Sequence, residues 1–525
     1  MSGAAAPRDG LTSPPHVPSS HPAQAPPGLR LPDEHTPRWR PDRARRPLEH
    51  TITPPAALPK RLILNLFEMN CVSHITHGLW RLPGNNRHRY TDIRYWTELA
   101  RILEDGGFDA VFLADVVGAY DVFRGGPADA LREGLQIPNN DPMLVVPAMA
   151  AVTDHLGFGV TASTSYEPPF AFARRMSTLD HLTAGRIGWN VVTSYLPNAA
   201  RNFGLADEIE HDTRFAIAEE YLTVLYKLWE GSWDDDAVVR DAAGGVYTDP
   251  EKVRYIDHVG EHFAVAGPHL SEPSPQRTPV LFQATASPAG IAQAARHAEV
   301  VFTGARAGAF GALLAQFRQA AVAAGRAADD LKVIVQAAVV VGRTDADVER
   351  KLAQYREHRS VVGRFVHAGL RFDPTAHPQD ITVREALERE GAPQDAVPPT
   401  ALDSTVGDFA ASASEQMERD FFAAGTPTAV ADEIERWLDE VGIDGINLRQ
   451  YHSFDTARDF VEFVVPELRR RGRLRESYVP GETLRRRLTG THDRLPQTHP
   501  AAAYRGGRGL GGTRPATDLV LGSAR

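Results

Sequence analysis

Asn65-Leu-Phe-Glu-Met-Asn-Cys-Val-Ser-His-Ile-Thr-His-Gly-Leu-Trp-Arg81 starts inside an apolar run, Leu62 to Phe67, and turns within a few residues into a reactive cluster. The cluster holds the chain's single cysteine, Cys71, and two histidines, His74 and His77. An apolar strand that ends in such side chains is how a β/α barrel builds a site, because its functional groups sit where strands give way to loops. A free cysteine is also a common small core residue. This stretch alone leaves both readings open, and its surroundings decide.

Working outward, strand-like and helix-like segments alternate. Strands are expected at Leu62–Met69, Ala110–Asp115, Leu156–Ser163 and Arg186–Thr193, then at Val280–Ala284, Val300–Thr303, Leu331–Val341 and Gly445–Arg449. Helical spacing of apolar residues marks the segments between them, as in Ile93, Trp96, Leu99, Ala100 and Leu103. Residues 231–279 and 361–425 break the rhythm and read as insertions. Repeated β–α alternation implies a parallel sheet with right-handed crossovers. Eight repeats favour closure, so the expected fold is an α/β (β/α)8 TIM barrel with insertions over residues 58–490. Residues 1–57, rich in Pro, Ala, Ser and Arg, read as a disordered extension. Residues 491–525, with several glycines, read as a C-terminal tail. The basic run Arg38 to Arg46 belongs to the extension and reads as solvated.

Of the 525 residues, 42% are hydrophobic and 24% charged, ordinary for a globular protein. The net charge of −10 argues against a nucleic-acid partner. One cysteine excludes an internal disulfide and any cysteine-rich metal cluster. There is no apolar run of about 18 residues and no signal-like apolar core, so neither a membrane span nor export is expected, and the cytoplasm is the expected compartment.

The residues past the strand ends are Cys71 and His74, Asp115, the Thr161–Ser163–Thr164 group, Tyr195, Thr285 with Ser287, and Gly304 with Arg306. In a barrel these converge on one face. Hydroxyls and a glycine beside helix starts suit a phosphate, although Ser and Thr are equally common as plain helix caps. His74-x-x-His77 has no carboxylate close in sequence, and no metal site is expected. Gly304, Gly308 and Gly311 do not form a dinucleotide fingerprint. No Gly-x-Ser-x-Gly elbow is present either.

The runs Phe67 to His74 and His77-Gly-Leu-Trp-Arg81 resemble the two-component flavin monooxygenases of the bacterial luciferase-like superfamily. So do Arg87-His-Arg-Tyr-Thr-Asp92, Phe112-Leu-Ala-Asp-Val-Val117, Arg174 to Thr183, Gly188-Trp-Asn-Val-Val-Thr-Ser194 and Val441-Gly-Ile-Asp-Gly445. Within that superfamily the chain resembles the nitrilotriacetate and dibenzothiophene-sulfone group, and more narrowly its long-chain alkane branch. The resemblance implies reduced FMN (FMNH2) and molecular oxygen as co-substrates, and a separate NAD(P)H-dependent flavin reductase as partner. It also implies a homo-oligomer, dimer or tetramer, and a small hydrophobic substrate, a long-chain alkane oxidised to a primary alcohol. A sulfone or aminocarboxylate monooxygenase on the same scaffold is the alternative. A non-oxygenase flavin- or deazaflavin-binding protein is the alternative from another class.

Carried over residue by residue, the resemblance implies cofactor contacts at Asp115, Thr161, His211, Phe215 and Ser287. It implies catalytic roles for Cys71, His74, Tyr120, Gln136, Arg214 and His367, with Tyr195 at a further catalytic position. Three positions depart from the family pattern. Tyr195 stands where the alkane branch has histidine. His211-Asp-Thr-Arg-Phe215 ends in Phe where the pattern has Tyr. Thr285-Ala-Ser287 replaces a Gly-x-Ser turn. Phe215 removes a hydroxyl with a net worth of roughly 1 kcal/mol. Tyr195 replaces an imidazole that titrates near neutrality with a phenol of ordinary pKa about 10. The chemistry is the cofactor's, and the protein supplies position, electrostatics and exclusion of water. Cys71, His74 and Tyr195 are expected to line the oxygen side of the pocket, with Cys71 as wall and not nucleophile. Residues 361–425 are expected to close over it.

Overall fold

Eight parallel strands close on themselves: β1 (Ile63–Met69), β2 (Ala110–Ala114), β3 (Gly157–Ser163), β4 (Ile187–Val192), β5 (Val280–Ala284), β6 (Val300–Thr303), β7 (Lys332–Val341) and β8 (Gly445–Arg449). The computed structural model describes residues 59–304, 310–415, 421–490 and 492–511. The expected extension at 1–57, the basic run Arg38 to Arg46, and Arg306 and Gly308 lie outside them. Strand β1 pairs with β2 from Asn65↔Ala110 to Met69↔Ala114, and with β8 from Ile63↔Gly445 to Phe67↔Arg449. Pairing of β6 with β7 completes the ring. The TIM barrel expected from the alternation is therefore present.

Because both faces of each strand are covered, the strands read as continuous apolar runs. Leu64 and Leu66 point outward with Val111 and Leu113, against helices such as α1 (Ile93–Asp105). Phe67, Phe112, Phe282 and Phe302 point inward with Ile334 and fill the barrel. Their rings meet edge to face, Phe67 on Phe302 at 4.8 Å and Phe112 on Phe282 at 5.5 Å between centroids. Gly188 in β4 makes room for this layer, since a Cβ there would lie 2.5 Å from the Phe282 ring.

The first insertion holds two small antiparallel hairpins, Val238–Asp241 with Val246–Thr248 and His258–Val259 with Ala264–Val265. The second contains helices Val361–Ala368, Val383–Glu390 and Val406–Glu415. Phe365, Val366, Leu370 and Leu387 from it form a separate apolar cluster with Tyr120, Phe123, Leu135 and Leu196. The expected insertion also hides a strand. Phe421–Gly425 pairs with the far half of β7, Ala337↔Phe421 to Val341↔Gly425. The helix that precedes β3 is short, Val146–Ala150.

The floor of the barrel comes from the C-terminal region. Leu484 and Leu488, on the helix Leu484–Thr489, join the inner phenylalanine layer. Arg485 beside them donates to Glu299 at 2.7 Å and to the carbonyls of Thr278 and Pro279, all buried. Residues 492–511, assigned to the tail by composition, are packed: Leu495, Ala501 and Leu510 belong to the main core. The glycines that made them look loose make turns, with positive φ at Gly506, Gly507 and Gly509.

Removing one member of a buried ion pair strands the other charge. Arg485→Ala is expected to lower unfolding stability by about 3–5 kcal/mol in denaturant melts. The double change Arg485→Met with Glu299→Gln should recover most of it. A loss below about 1 kcal/mol for the single variant would show that the C-terminal floor is dispensable.

Candidate active site

The opening loop leaves β1 and must satisfy its own backbone. It does so against residues 135–140: Cys71 bridges to Asn139, Gln136 N–H donates to Ser73 O at 2.9 Å, and Asn140 N–H donates to Asn70 O at 2.9 Å. That pairing carries two side chains to the barrel mouth. Asn139 Nδ2 donates to Asp115 Oδ1 at 2.9 Å and to Val116 O at 3.0 Å. Gln136 Nε2 donates to His74 O at 3.1 Å, and its Oε1 accepts from the Tyr120 hydroxyl at 3.3 Å. Tyr120 in turn meets the Tyr195 hydroxyl at 2.6 Å.

Asp115, Tyr195, His211, Arg214, Phe215 and Ser287 share the wall of one cleft of about 330 Å³ at the C-terminal ends of the strands. A second cleft of about 440 Å³ shares Asp115, Val116 and Val117 with it and adds Gln136 and Asn139. The first wall is mainly apolar, with Val116, Val117, Val192, Leu196 and Ala199.

Two features of this wall suit an anion. Arg214, in the first turn of the helix His211–Tyr226, donates from Nη1 to Ser194 O at 2.6 Å and pairs with Glu208, yet its buried Nε has no partner. The helix Pro288–His297 starts here, capped by Ser287, whose Oγ accepts from Gly290 N–H at 3.2 Å. A Cβ on Gly290 would lie 1.8 Å from Thr285 Oγ1, so only glycine leaves the hydroxyls beside this helix start. Pro288 has no N–H and the Gly290 N–H is taken by Ser287, which leaves the Ala289 N–H and the helix dipole to favour a phosphate. An unpartnered guanidinium N–H and this start fit the phosphate of a flavin mononucleotide.

The remaining expected residues lie behind the wall. Cys71 is fully buried, and burial pushes its thiol up to about 12. His74 packs edge-on against Phe67 at 4.5 Å. His77 Nε2 and His367 Nδ1 are 2.9 Å apart, and His367 lies against the Tyr120 ring at 5.2 Å. Burial, with Arg87 next, drives His74 well below the usual imidazole value, and burial with His367 does the same to His77. Burial and Arg364 bring His367 down to about 3. All three are therefore neutral at pH 7. Thr161 lies within β3, not past it, and its hydroxyl accepts from Asn190 Nδ2 at 2.9 Å in the barrel wall. His74 packs on Phe67 and His77 on His367, and among the described residues no three His, Cys, Asp or Glu side chains form a metal-holding group.

Asn139, Ser194 and Glu208 were not anticipated. Ser194 directly precedes Tyr195 and adopts a left-handed φ of 59°, which turns its carbonyl to Arg214. Its place after β4 was a usable signal. Asn139 and Glu208 sit on connections, and no local pattern marks them.

Burial raises the Asp115 carboxyl to about 7. Its folded value lies above its unfolded one, so between about pH 4 and pH 7 the unfolded chain loses a proton that the folded chain keeps. Stability contributed here therefore falls as pH rises across that window. Asp115→Asn should match the wild type in Tm near pH 4 and exceed it by a few degrees at pH 8; an offset that does not change with pH would refute the assignment. The Cys71 thiol is expected to resist an aromatic disulfide reagent at pH 8 and to react once, fully, on unfolding. Fast labelling of the native protein would contradict its burial.

Residues 75–445 match the luciferase-like monooxygenase family model. A long-chain alkane monooxygenase from Geobacillus thermodenitrificans (strain NG80-2) is 49% identical over 85% of this chain and 99% of its own length. A dimethyl-sulfide monooxygenase from Hyphomicrobium sulfonivorans is 44% identical over 85% and 94%. Among solved structures, a riboflavin lyase crystallised with modified FMN and riboflavin has a TM-score of 0.77 at 37% identity, covering 85% of this chain and all of that one. A closed barrel with this cleft at its mouth, matched along nearly its whole folded length, places the chain in the luciferase-like monooxygenase family.

Proposed function

We propose that the chain is the oxygenase of a two-component system in the cytoplasm. It takes reduced FMN from a separate NAD(P)H-dependent flavin reductase and, with O2, hydroxylates an apolar substrate, a long-chain alkane giving a primary alcohol. The homo-oligomer implied by the family resemblance is part of this proposal. Bound reduced flavin supplies the oxygen activation; everything else is asked of the protein. Arg214 Nε and the Ser287–Gly290 helix start would hold the phosphate. Asp115 and His211 line the same cleft and would contact the rest of the cofactor, with Phe215 as an apolar wall against the His211 ring at 5.0 Å. Thr161 would act from the barrel wall through Asn190.

The catalytic set is proposed as a neutral, dry wall. Cys71 and His74 fill space beside β1, and Tyr120, Gln136 and His367 fix the wall from behind. A neutral lining excludes water, which is the main service to oxygen chemistry a protein can give. The observation that carries the substrate class is charge. Among the described residues that line the cleft, Arg214 is the single Lys or Arg, and Glu208 already pairs with it. With Arg214 Nε given to the flavin phosphate, an aminocarboxylate with several carboxylates would meet no further cation among these residues, and an apolar chain needs none.

The test supplies FMN, NADH and a flavin reductase with 18O2 and a panel of n-alkanes, dialkyl sulfides, sulfones and aminocarboxylates. Label is expected in an alcohol from an alkane. Label only from sulfides or sulfones would move the substrate to that alternative, and no labelled product from any class would end the oxygenase reading. Arg214→Ala should weaken reduced-FMN binding about 10- to 100-fold, the range for a hydrogen bond to a charged group.

A further inference from the structure

The helix that carries Arg214 in its first turn runs on to Lys227, which caps its other end. Lys227 Nζ lies 3.1 Å from His258 Nδ1, and His258 Nε2 lies 3.0 Å from Glu220 Oε1. An ammonium only donates and a carboxylate only accepts. His258 Nδ1 therefore accepts from Lys227, and its Nε2–H donates to Glu220, which fixes the tautomer. Glu220 is fixed in turn by the N–H groups of His262 and Phe263, at 2.9 and 2.8 Å. Gly260 closes the hairpin over this pair, and a Cβ there would strike Glu220 Oε1 and crowd His258 Nε2. Glu219, one residue earlier, makes a similar chain through His297 to Tyr226, but Tyr226 is 1% exposed and that chain belongs to the core. Lys227 is partly exposed and His258 is buried, so a reagent can reach the amine while the base is kept from bulk water.

A carboxylate orienting an imidazole that meets a weak nucleophile is the arrangement that activates such a nucleophile. The chain has 57 Lys and Arg residues, of which five are lysines. Lys60, Lys252 and Lys351 pair with carboxylates, which hold the charge on them, whereas Lys227 meets an imidazole. Burial lowers its ammonium below the ordinary lysine value, against the pull of Glu220. We propose that Lys227 is a self-acylating lysine that takes an acyl group from a thioester, with His258 as its base. The ammonium gives one proton to His258 Nδ1. The amine nitrogen then forms a C–N bond to the thioester carbonyl carbon, the C–S bond breaks, and the thiolate leaves with its electron pair. The thiolate takes a second nitrogen-bound proton to become a thiol, and His258 releases its own to solvent. Nothing is oxidised or reduced. A thiol, with an ordinary pKa near 8.5, leaves more readily than an amine. Glu220 acts through His258 as a positioning residue.

The experiment incubates the full-length protein with acetyl-CoA at pH 8 and follows acetylation of each lysine by site-resolved mass spectrometry. Lys252 is the internal reference, since its bond to Asp236 holds it above its ordinary value. Wild-type Lys227 is expected to react at least about 100-fold faster than Lys252, the lower end of what a positioned base supplies. His258→Ala should bring Lys227 down to the scale of Lys252, and added imidazole should restore much of the lost rate by filling the vacated place. Glu220→Gln should lose rate without that rescue, because His258 still fills the place. Circular dichroism and Tm check that each variant folds, and His258→Gln serves if the alanine variant does not. A wild-type Lys227 no faster than Lys252 overturns the proposal. So does a folded His258 variant with an unchanged rate, or a His258→Ala loss that imidazole leaves untouched, which is the mark of a purely structural contact.

Discussion

The opening loop cannot leave a buried strand end with its backbone unpaired, since such groups are almost always hydrogen-bonded. It meets this constraint by pairing with residues 135–140, through Cys71 with Asn139 and Ser73 with Gln136. Everything distinctive about the barrel mouth follows from that stitch. Asn139 reaches Asp115, and Gln136 reaches Tyr120, only because their backbones are held against the loop. The positive φ of 47° at Gln136 shows how tightly the segment is bent to do this. Cys71 contributes mostly through its main chain.

Burial then decides the charge state of what the stitch assembles. A charged group pressed into an apolar layer is strongly disfavoured unless paired. Glu68 has Arg87 and Gln450 as partners, but no carboxylate among the described residues pairs with His74, His77 or His367, and they stay neutral. The result is a region rich in titratable side chains that carries little charge at pH 7. Polarity survives as direction instead, in the ordered run of donors from Tyr195 to His74.

Most of the barrel was legible in the sequence, because parallel strands covered on both faces are short apolar runs that stand out against amphipathic helices. Phe421–Gly425 was missed: five residues of Phe, Ala and Gly inside an irregular stretch carry no period, and the far half of β7 that it pairs with was read as one simple strand. The packed segment 492–511 was missed because glycines that make turns look in composition like glycines that make linkers. For the site, position after a strand picked out Asp115, Tyr195, Thr285 and Ser287, which line one cleft. It could not separate residues on the cleft wall from those behind it, such as Cys71. It could not find Asn139 or Glu208, whose places depend on how connections fold back.

The two aromatic departures from the family pattern make sense together once the geometry is known. Phe215 presents no hydroxyl to the cleft, and its ring lies against His211. Tyr195 brings a hydroxyl, but turns it inward to Tyr120 and offers the cleft mostly ring. A histidine at 195 and a tyrosine at 215 would each have offered a donor to the cleft. This chain offers one acceptor oxygen and two aromatic faces. Because an unmatched donor facing an apolar ligand is left unsatisfied, the exchange of donors for ring surface suits the apolar substrate proposed above. Both changes act in the same direction as the valine- and leucine-lined wall around them.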